Sequence, residues 1–273
     1  MRVQRDFCRR DETLRFGFHF SKPNPQRRST GGLLLLLSLS LCRMAISIVD
    51  YELPYDTHNE YDVTFYGDRI HTMLTNSPAM VESWLSTVTL ANPNHRIVGL
   101  DVEWRPNFSR NSDNPIATLQ LCTGPNYAGS LQIPPGTVLP GVCLDPNCLI
   151  FQVIHSESIP QSLSNFLANP AFTFVGVGIE SDCEKLLLDY ELRVANAVDL
   201  RGFAARRLGF PDLRNAGLKR LASAVLGKEL QKPKRVTMSR WDSQWLTYDQ
   251  IQYAAVDAFI SYEIARQLNL RGA

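Results

Sequence analysis

The spacing of hydrophobic and polar positions changes several times along the chain, and each change marks an element. DVTFYGDRIHTMLT, residues 62–75, alternates on either side of Tyr66, Gly67 and Asp68, which predicts a hairpin with Gly-Asp at its turn. SPAMVESWLSTVTLA (77–91) moves to helical spacing, with Met80, Val81, Trp84, Leu85 and Val88 on one face, Ser77 as N-cap and Pro78 in the first helical position. A strand ending in VGLDVEW (98–104) follows, then the polar loop NFSRNSDNP. Two more strands are expected at IATLQLCT (116–123) and CLIFQVIH (148–155). Residues 124–147 between them are rich in Gly and Pro and long for a hairpin connection, so they read as an insertion.

IPQSLSNFLAN (159–169) predicts a helix capped by Ser158, with Pro160 in its first turn. FTFVGVGI (172–179) is wholly apolar, as in a strand covered on both faces. The helix ESDCEKLLLDYEL (180–192) follows at once, with Ser181 and Glu184 at capping-box spacing. AVDLRGFAARRLG (197–209) and GLKRLASAVLG (217–227) are short helices closed by glycine. The last helix spans about 247–268, with Thr247 and Gln250 as a second capping box. Strands first, then strands alternating with helices, then a helical end predict an α/β domain built on a mixed sheet.

Composition narrows this only slightly. The chain has 273 residues, 44% hydrophobic and 20% charged, with formal net charge +1, so no global basic field marks it as a nucleic-acid packaging protein. Its six cysteines contain no CxxC, and Cys143 and Cys148 lack a second pair that would complete a zinc site, so reduced thiols in an intracellular protein are expected. The first 43 residues differ from the rest: an Arg-rich lead precedes GGLLLLLSLSLC (31–42), too short an apolar run to span a bilayer. Three readings stay open for this leader: a disordered or spurious segment before a working start at Met44, an organelle transit peptide, or a secretion signal. The expected compartment is nucleus or cytosol, with organelle targeting as the alternative, and no membrane association is expected.

The chemistry gathers at three acidic stretches. In VGLDVEW, Asp101 and Glu103 flank Val102 and therefore share a face of the strand. Two carboxylates roughly 5–7 Å apart repel unless a proton or cation lies between them. Asp182 opens the helix after FVGVGI, and in an open α/β sheet such strand-to-helix junctions lie at the carboxyl edge, where ligands bind. Tyr253 and Asp257 are four residues apart in QYAAVDAF and so lie one helical turn apart on one face.

VGLDVEW, VGVGIESDCEKL and YAAVDA, in this order, resemble the three motifs of the DEDDy 3'-5' exonucleases. Together with ATLQLCT, CLIFQ, LKRLA and YAAVDAFISYEI they are most similar to the Werner syndrome-like exonuclease domain, within the RNase D-like superfamily. The resemblance implies a single RNase H-like domain, a mixed β-sheet flanked by helices, at 61–270, preceded by an extension at 44–60. It also implies two divalent metal ions, Mg²⁺ or Mn²⁺, and hydrolytic removal of nucleotides from a 3' end. By the same resemblance Asp101 bridges the ions, Glu103 and Asp257 hold the one that activates water, and Asp182 supports the other. Tyr253 orients the attacking water. The implied substrate is nucleic acid with a 3' end, DNA favoured over RNA, and a helicase or repair partner is expected to act in trans.

Substrate contacts are expected from Trp104 and Phe108, which could stack on terminal bases, although a core role for Trp104 stays open. The basic run over 219–240, with Lys219, Arg220 and Arg240 as candidates, could meet backbone phosphates. Two other readings compete. GVGIES (176–181) after a strand suggests a dinucleotide site, but Ser181 stands where the third glycine belongs and Asp182 would meet the pyrophosphate with like charge, so no nucleotide cofactor is expected. A non-catalytic nucleic-acid-binding module on the same fold is the other, and the presence of all four acids speaks against it.

Overall fold

One mixed sheet of eight strands organises the computed structural model, which describes residues 46–54, 56–91, 96–109, 113–125 and 145–270. The expected leader and most of the Gly/Pro-rich insertion lie outside the described residues. The strands are β1 (Ser47–Tyr51), β2 (Asn59–Phe65), β3 (Asp68–Thr75), β4 (Ile97–Trp104), β5 (Ile116–Thr123), β6 (Asn147–Phe151), β7 (Thr173–Gly176) and β8 (Ala197–Asp199), in the order β1-β2-β3-β6-β5-β4-β7-β8. The helices are α1 (Pro78–Ala91), α2 (Gln161–Leu167), α3 (Ile179–Tyr190), α4 (Leu200–Leu208), α5 (Leu218–Leu221), α6 (Lys234–Thr237) and α7 (Tyr248–Gln267). This is the mixed-sheet α/β architecture expected from the chain's patterning.

Two apolar cores sandwich the sheet. Val81, Trp84 and Leu85 of α1, Leu163 and Phe166 of α2 and Ile179 and Leu186 of α3 pack with Val98, Leu100 and Val102 on one face. α4, α5 and α7 cover the other, where Leu200, Leu221, Ala254, Ala258 and Phe259 meet Val63, Ile70 and Ile150. Alternation along β4 therefore splits its residues: Val98, Leu100 and Val102 face α1, and Gly99, Asp101 and Glu103 face α7. At Gly99 the approach is so close that a Cβ would lie 2.0 Å from the Ala258 carbonyl oxygen and 2.9 Å from the Tyr262 nitrogen. The small residues Ala254, Ala255 and Ala258, all buried, let α7 come this near.

Several boundaries differ from expectation for local physical reasons. The hairpin turn is Tyr66-Gly67, with φ of 52° and 88°, and Asp68 already belongs to β3. Both central residues are left-handed, as a two-residue turn matching the twist of its strands requires. The strand expected over 148–155 stops at Phe151: Gln152 turns out of the extended region, and a 3-10 turn covers Val153–His155. The amide of Gln152 donates to the Ser243 and Gln244 carbonyls, and His155 Nε2 lies 3.1 Å from the Asp242 carbonyl, so this corner anchors the loop that leads into α7. Ser158 is not the cap of α2, which begins after Pro160. Ser181 and Glu184 form no capping box, because a left-handed Gly178 (φ 76°) starts α3 two residues earlier. The capping box at Thr247 and Gln250 is present in full. β1 and β8 were not expected; β1 lies in the 44–60 extension and pairs antiparallel with β2, while β8 takes the first three residues of what was read as a helix.

Gly99→Ala is expected to destabilise the protein by roughly 3 kcal/mol or more, since the new methyl meets backbone that cannot rotate away. Gly202→Ala, inside α4 and near only the flexible end of Arg206, is expected to stabilise by about 0.5–1 kcal/mol. Denaturant melts of the two variants beside the parent protein check the contrast.

Candidate functional site

β4 and β7 run parallel, so their carboxyl ends lie at the same edge of the sheet. Asp101 and Glu103 stand near the end of β4, and Asp182 stands in the first turn of α3, directly after β7. α7 lies across the face of β4 that presents the first two acids. Because Ala258 of α7 rests on Gly99, its neighbour Asp257 comes down beside Asp101 and Glu103. One carboxylate oxygen from each of these three residues lies within 4.8 Å of the others.

Asp257 is 1% exposed, in a helix that is buried nearly all round. Among the described residues neither of its oxygens accepts a well-aligned hydrogen bond, which is costly for a buried polar atom unless a cation serves it. Asp101 and Glu103 are half-buried. Burial, then repulsion from the neighbouring acids, holds both carboxyls well above the usual carboxylate range: Asp257 is the leading charge against Asp101, and Asp101 the leading charge against Glu103. Burial also raises Asp257, opposed by Lys232. Asp182 stands outside the group of three, yet near enough to add to the repulsion on Asp101 and Glu103. Its own value is pushed up to about 7, mainly by burial and then by Glu180 and Asp199.

The turn that sets Asp182 is held from the side. Asp199 Oδ2 accepts the Gly178 N–H at 3.0 Å, and the Arg201 guanidinium and backbone N–H bind the same carboxylate. Across the β4/β5 pair, Gln120 and Thr118 oppose Asp101 and Glu103, and Gln120 Nε2 donates to Thr118 Oγ1 at 2.6 Å. Tyr253 sits one turn before Asp257, half-buried, its ring 5.9 Å from the buried ring of Trp241. Burial foremost, with Asp257 next, raises the Tyr253 phenol far above its ordinary value.

Lys232 was not expected here. It read as one member of a basic run expected to meet backbone phosphates, and no spacing in that run distinguishes it from Lys228 or Lys234. In the structure its ammonium lies 2.5 Å from Asp257 Oδ2 and 4.9 Å from the centre of the Tyr253 ring. The proposed phosphate contacts stand elsewhere. Lys219 and Arg220 are exposed on α5, with Arg220 3.6 Å from Asp212. Arg240 is engaged with Asp242, which Arg105 also reaches at 3.3 Å. Trp104 packs against the α1 core with the Lys185 ammonium 5.6 Å over its ring, and Phe108 is 74% exposed.

The donor set fits a hard divalent cation: clustered carboxylate oxygens, two of them buried without a hydrogen bond. Clustered carboxylates at the carboxyl edge of a mixed sheet are a donor set of the kind that enzymes acting on phosphate esters use to hold cations. A family model described as 3'-5' exonuclease matches residues 81–273, and the chain belongs to that family. A 3'-5' exonuclease of Arabidopsis thaliana is 33% identical over 172 residues, 63% of this chain and 52% of that protein. The bifunctional 3'-5' exonuclease/ATP-dependent helicase WRN of Mus musculus is 31% identical over 176 residues, 64% of this chain and 11% of that protein. The chain thus spans about half of the first relative and about a tenth of the second. The crystal structure of the EXD2 exonuclease domain soaked in Mg and GMP aligns with 73% of this chain and 88% of that chain, at 26% identity and a TM-score of 0.38. Among the described residues no helix is long and apolar enough to cross a membrane.

The raised acids fix the pH response. A carboxyl held above its ordinary value binds its proton more tightly folded than unfolded, so stability from this source is present at low pH and lost as pH climbs. Without metal the protein is expected to lose stability as pH rises from about 4 through about 7, where Asp182 titrates, with Asp101 and Glu103 adding to the loss in the same direction. Mn²⁺ is expected to reverse that slope, since it binds the deprotonated set. Thermal melts across this range in EDTA and in Mn²⁺ check both signs.

Proposed function

We propose that this chain is a metal-dependent exonuclease that hydrolyses phosphodiester bonds from the 3' end of DNA. The observation that carries the reading is the convergence of Asp101, Glu103 and Asp257 within 4.8 Å, with both Asp257 oxygens buried and lacking hydrogen bonds. DNA is the proposed substrate through the resemblance to the Werner syndrome-like domain. Two ions, Mg²⁺ or Mn²⁺, are the proposed complement, Asp101, Glu103 and Asp257 holding one and Asp182 with Asp101 the other. When bound, such ions supply the charge that offsets negative charge building on the phosphate and that makes water acidic enough to attack.

The protein's own residues do the rest. Asp101, Glu103, Asp182 and Asp257 bind, and their placement on β4, α3 and α7 orients the reacting phosphate. Burial raises the Tyr253 phenol above its ordinary value, so its hydroxyl keeps its proton and can hold and aim a water. Trp241 behind the ring fixes its direction. The exposed Phe108, beyond the end of β4, is the proposed stacking partner for a base. A helicase acting in trans is the proposed partner class, since the mouse relative's name joins both activities in one protein. The free thiols Cys122, Cys148 and Cys183 accord with a reducing setting, nucleus or cytosol.

Incubating the protein with 5'-labelled DNA carrying a recessed 3' end, and with matched RNA, tests the proposal. The expected result is a DNA ladder shortening from the 3' end in Mg²⁺ or Mn²⁺ and absent in EDTA. Asp101→Asn is expected to lower the rate at least roughly 100-fold, and Tyr253→Phe by less, with metal binding kept. A stronger ladder on RNA would reassign the substrate, and intact DNA and RNA from folded protein would overturn the enzyme.

A further inference from the structure

Asp257 lies 1% exposed within an acidic nest, and the cation that meets it, Lys232, comes from another element. Lys232 stands on the irregular segment between the turn closed by Gly227 and α6. Its side chain is 31% exposed, so the stem reaches in from solvent and only the ammonium enters the nest. There it is 2.5 Å from Asp257 Oδ2, and it also counters the charge of Asp101 and of Glu103.

Two features make this contact an exchangeable one. First, the contact is a single ion pair from one ammonium to one carboxylate oxygen, Oδ2. It lacks the two parallel bonds by which an arginine fork would lock a carboxylate. Second, a Mg²⁺ or Mn²⁺ ion bound to Asp257 would sit about 2.1 Å from the same oxygen. An ammonium at 2.5 Å and a divalent ion on the same carboxylate repel one another strongly where little water screens them. Withdrawal of one relieves that repulsion, and the partly exposed lysine has an open way out.

We propose that Lys232 is a tethered place-holder cation: it neutralises the nest in the metal-free protein, and a divalent ion must displace it from Asp257 to bind. This inference rests on the metal reading of the site. Lys232 therefore sets the apparent metal affinity, since binding is weakened by the fraction of molecules in which the lysine fills the nest. It also keeps the metal-free fold from holding three acids together unopposed.

The test is Mn²⁺ binding, read by the loss of free-ion paramagnetic resonance signal and by calorimetry, beside thermal melts in EDTA. Working at one fixed pH, in two buffers of different ionisation enthalpy, separates proton release from the exchange. Lys232→Met is expected to bind Mn²⁺ about tenfold more tightly than the parent. Its melting temperature in EDTA falls, and saturating Mn²⁺ closes the gap. Lys232→Arg, which keeps a cation and pairs more firmly with carboxylates, is expected to bind Mn²⁺ more weakly while melting in EDTA at least as high as the parent. This second variant decides the matter if the first does not fold. Unchanged Mn²⁺ affinity in either folded variant, or weaker binding by Lys232→Met, overturns the exchange and leaves the metal site standing. A folded parent protein that takes up no Mn²⁺ overturns both.

Discussion

The contact on which the site depends is the one between β4 and α7 at Gly99. A strand and a helix normally keep their backbones apart by a layer of side chains. Here that layer is missing at one point, where the Ala258 carbonyl occupies the space a Cβ would take. The missing atoms bring Asp257 down onto the strand that carries Asp101 and Glu103. Any residue larger than glycine would lift the helix and separate the acids. The apolar face opposite, built on α1 and α2, does not enter this geometry; it holds the sheet from behind.

Electrostatics oppose this packing. Buried and half-buried carboxylates repel, and in the absence of metal the protein meets the strain by raising their proton affinity and by inserting the Lys232 ammonium. Both compensations are reversible, which is what a cation-binding site needs: protons leave as pH rises, and a flexible lysine side chain can withdraw. A site closed by hydrogen bonds to the Asp257 oxygens would be more stable without metal and worse at accepting it. On the proposed metal reading, the weak satisfaction of Asp257 serves binding at a cost in stability that the two apolar cores around it offset.

Around the nest, polar side chains fix the segments that deliver it. Asp199 holds the turn before α3 through the Gly178 N–H and so steadies Asp182. Gln152 and His155 hold the loop before α7, which fixes where the helix bearing Tyr253 and Asp257 begins. These residues touch no reacting group, but they tie three chain segments, distant in sequence, to the same edge of the sheet.

Much of this was legible in the residues. The alternation of DVTFYGDRIHTMLT, the helical spacing after Pro78 and the Thr247 capping box marked elements that are present, because these signals are local: face alternation and orphan N–H groups act within a few residues. Asp101 and Glu103 declared themselves by sharing one strand face, and Tyr253 and Asp257 by sharing one helix face. What escaped was decided between elements. β1 and β8 are short strands whose pairing comes from neighbours, β2 and β7, and not from any pattern of their own. Gly178 displaced the expected start of α3 because a left-handed glycine turn, held by Asp199, outweighed the Ser181 capping signal. Lys232 looked like any other lysine in a basic run. Sequence alone determined which acids could meet and on which faces they stand, since a backbone period follows from covalent geometry. Only the tertiary structure decided how near they come and which cation answers them, because both depend on the close packing of segments far apart in the chain.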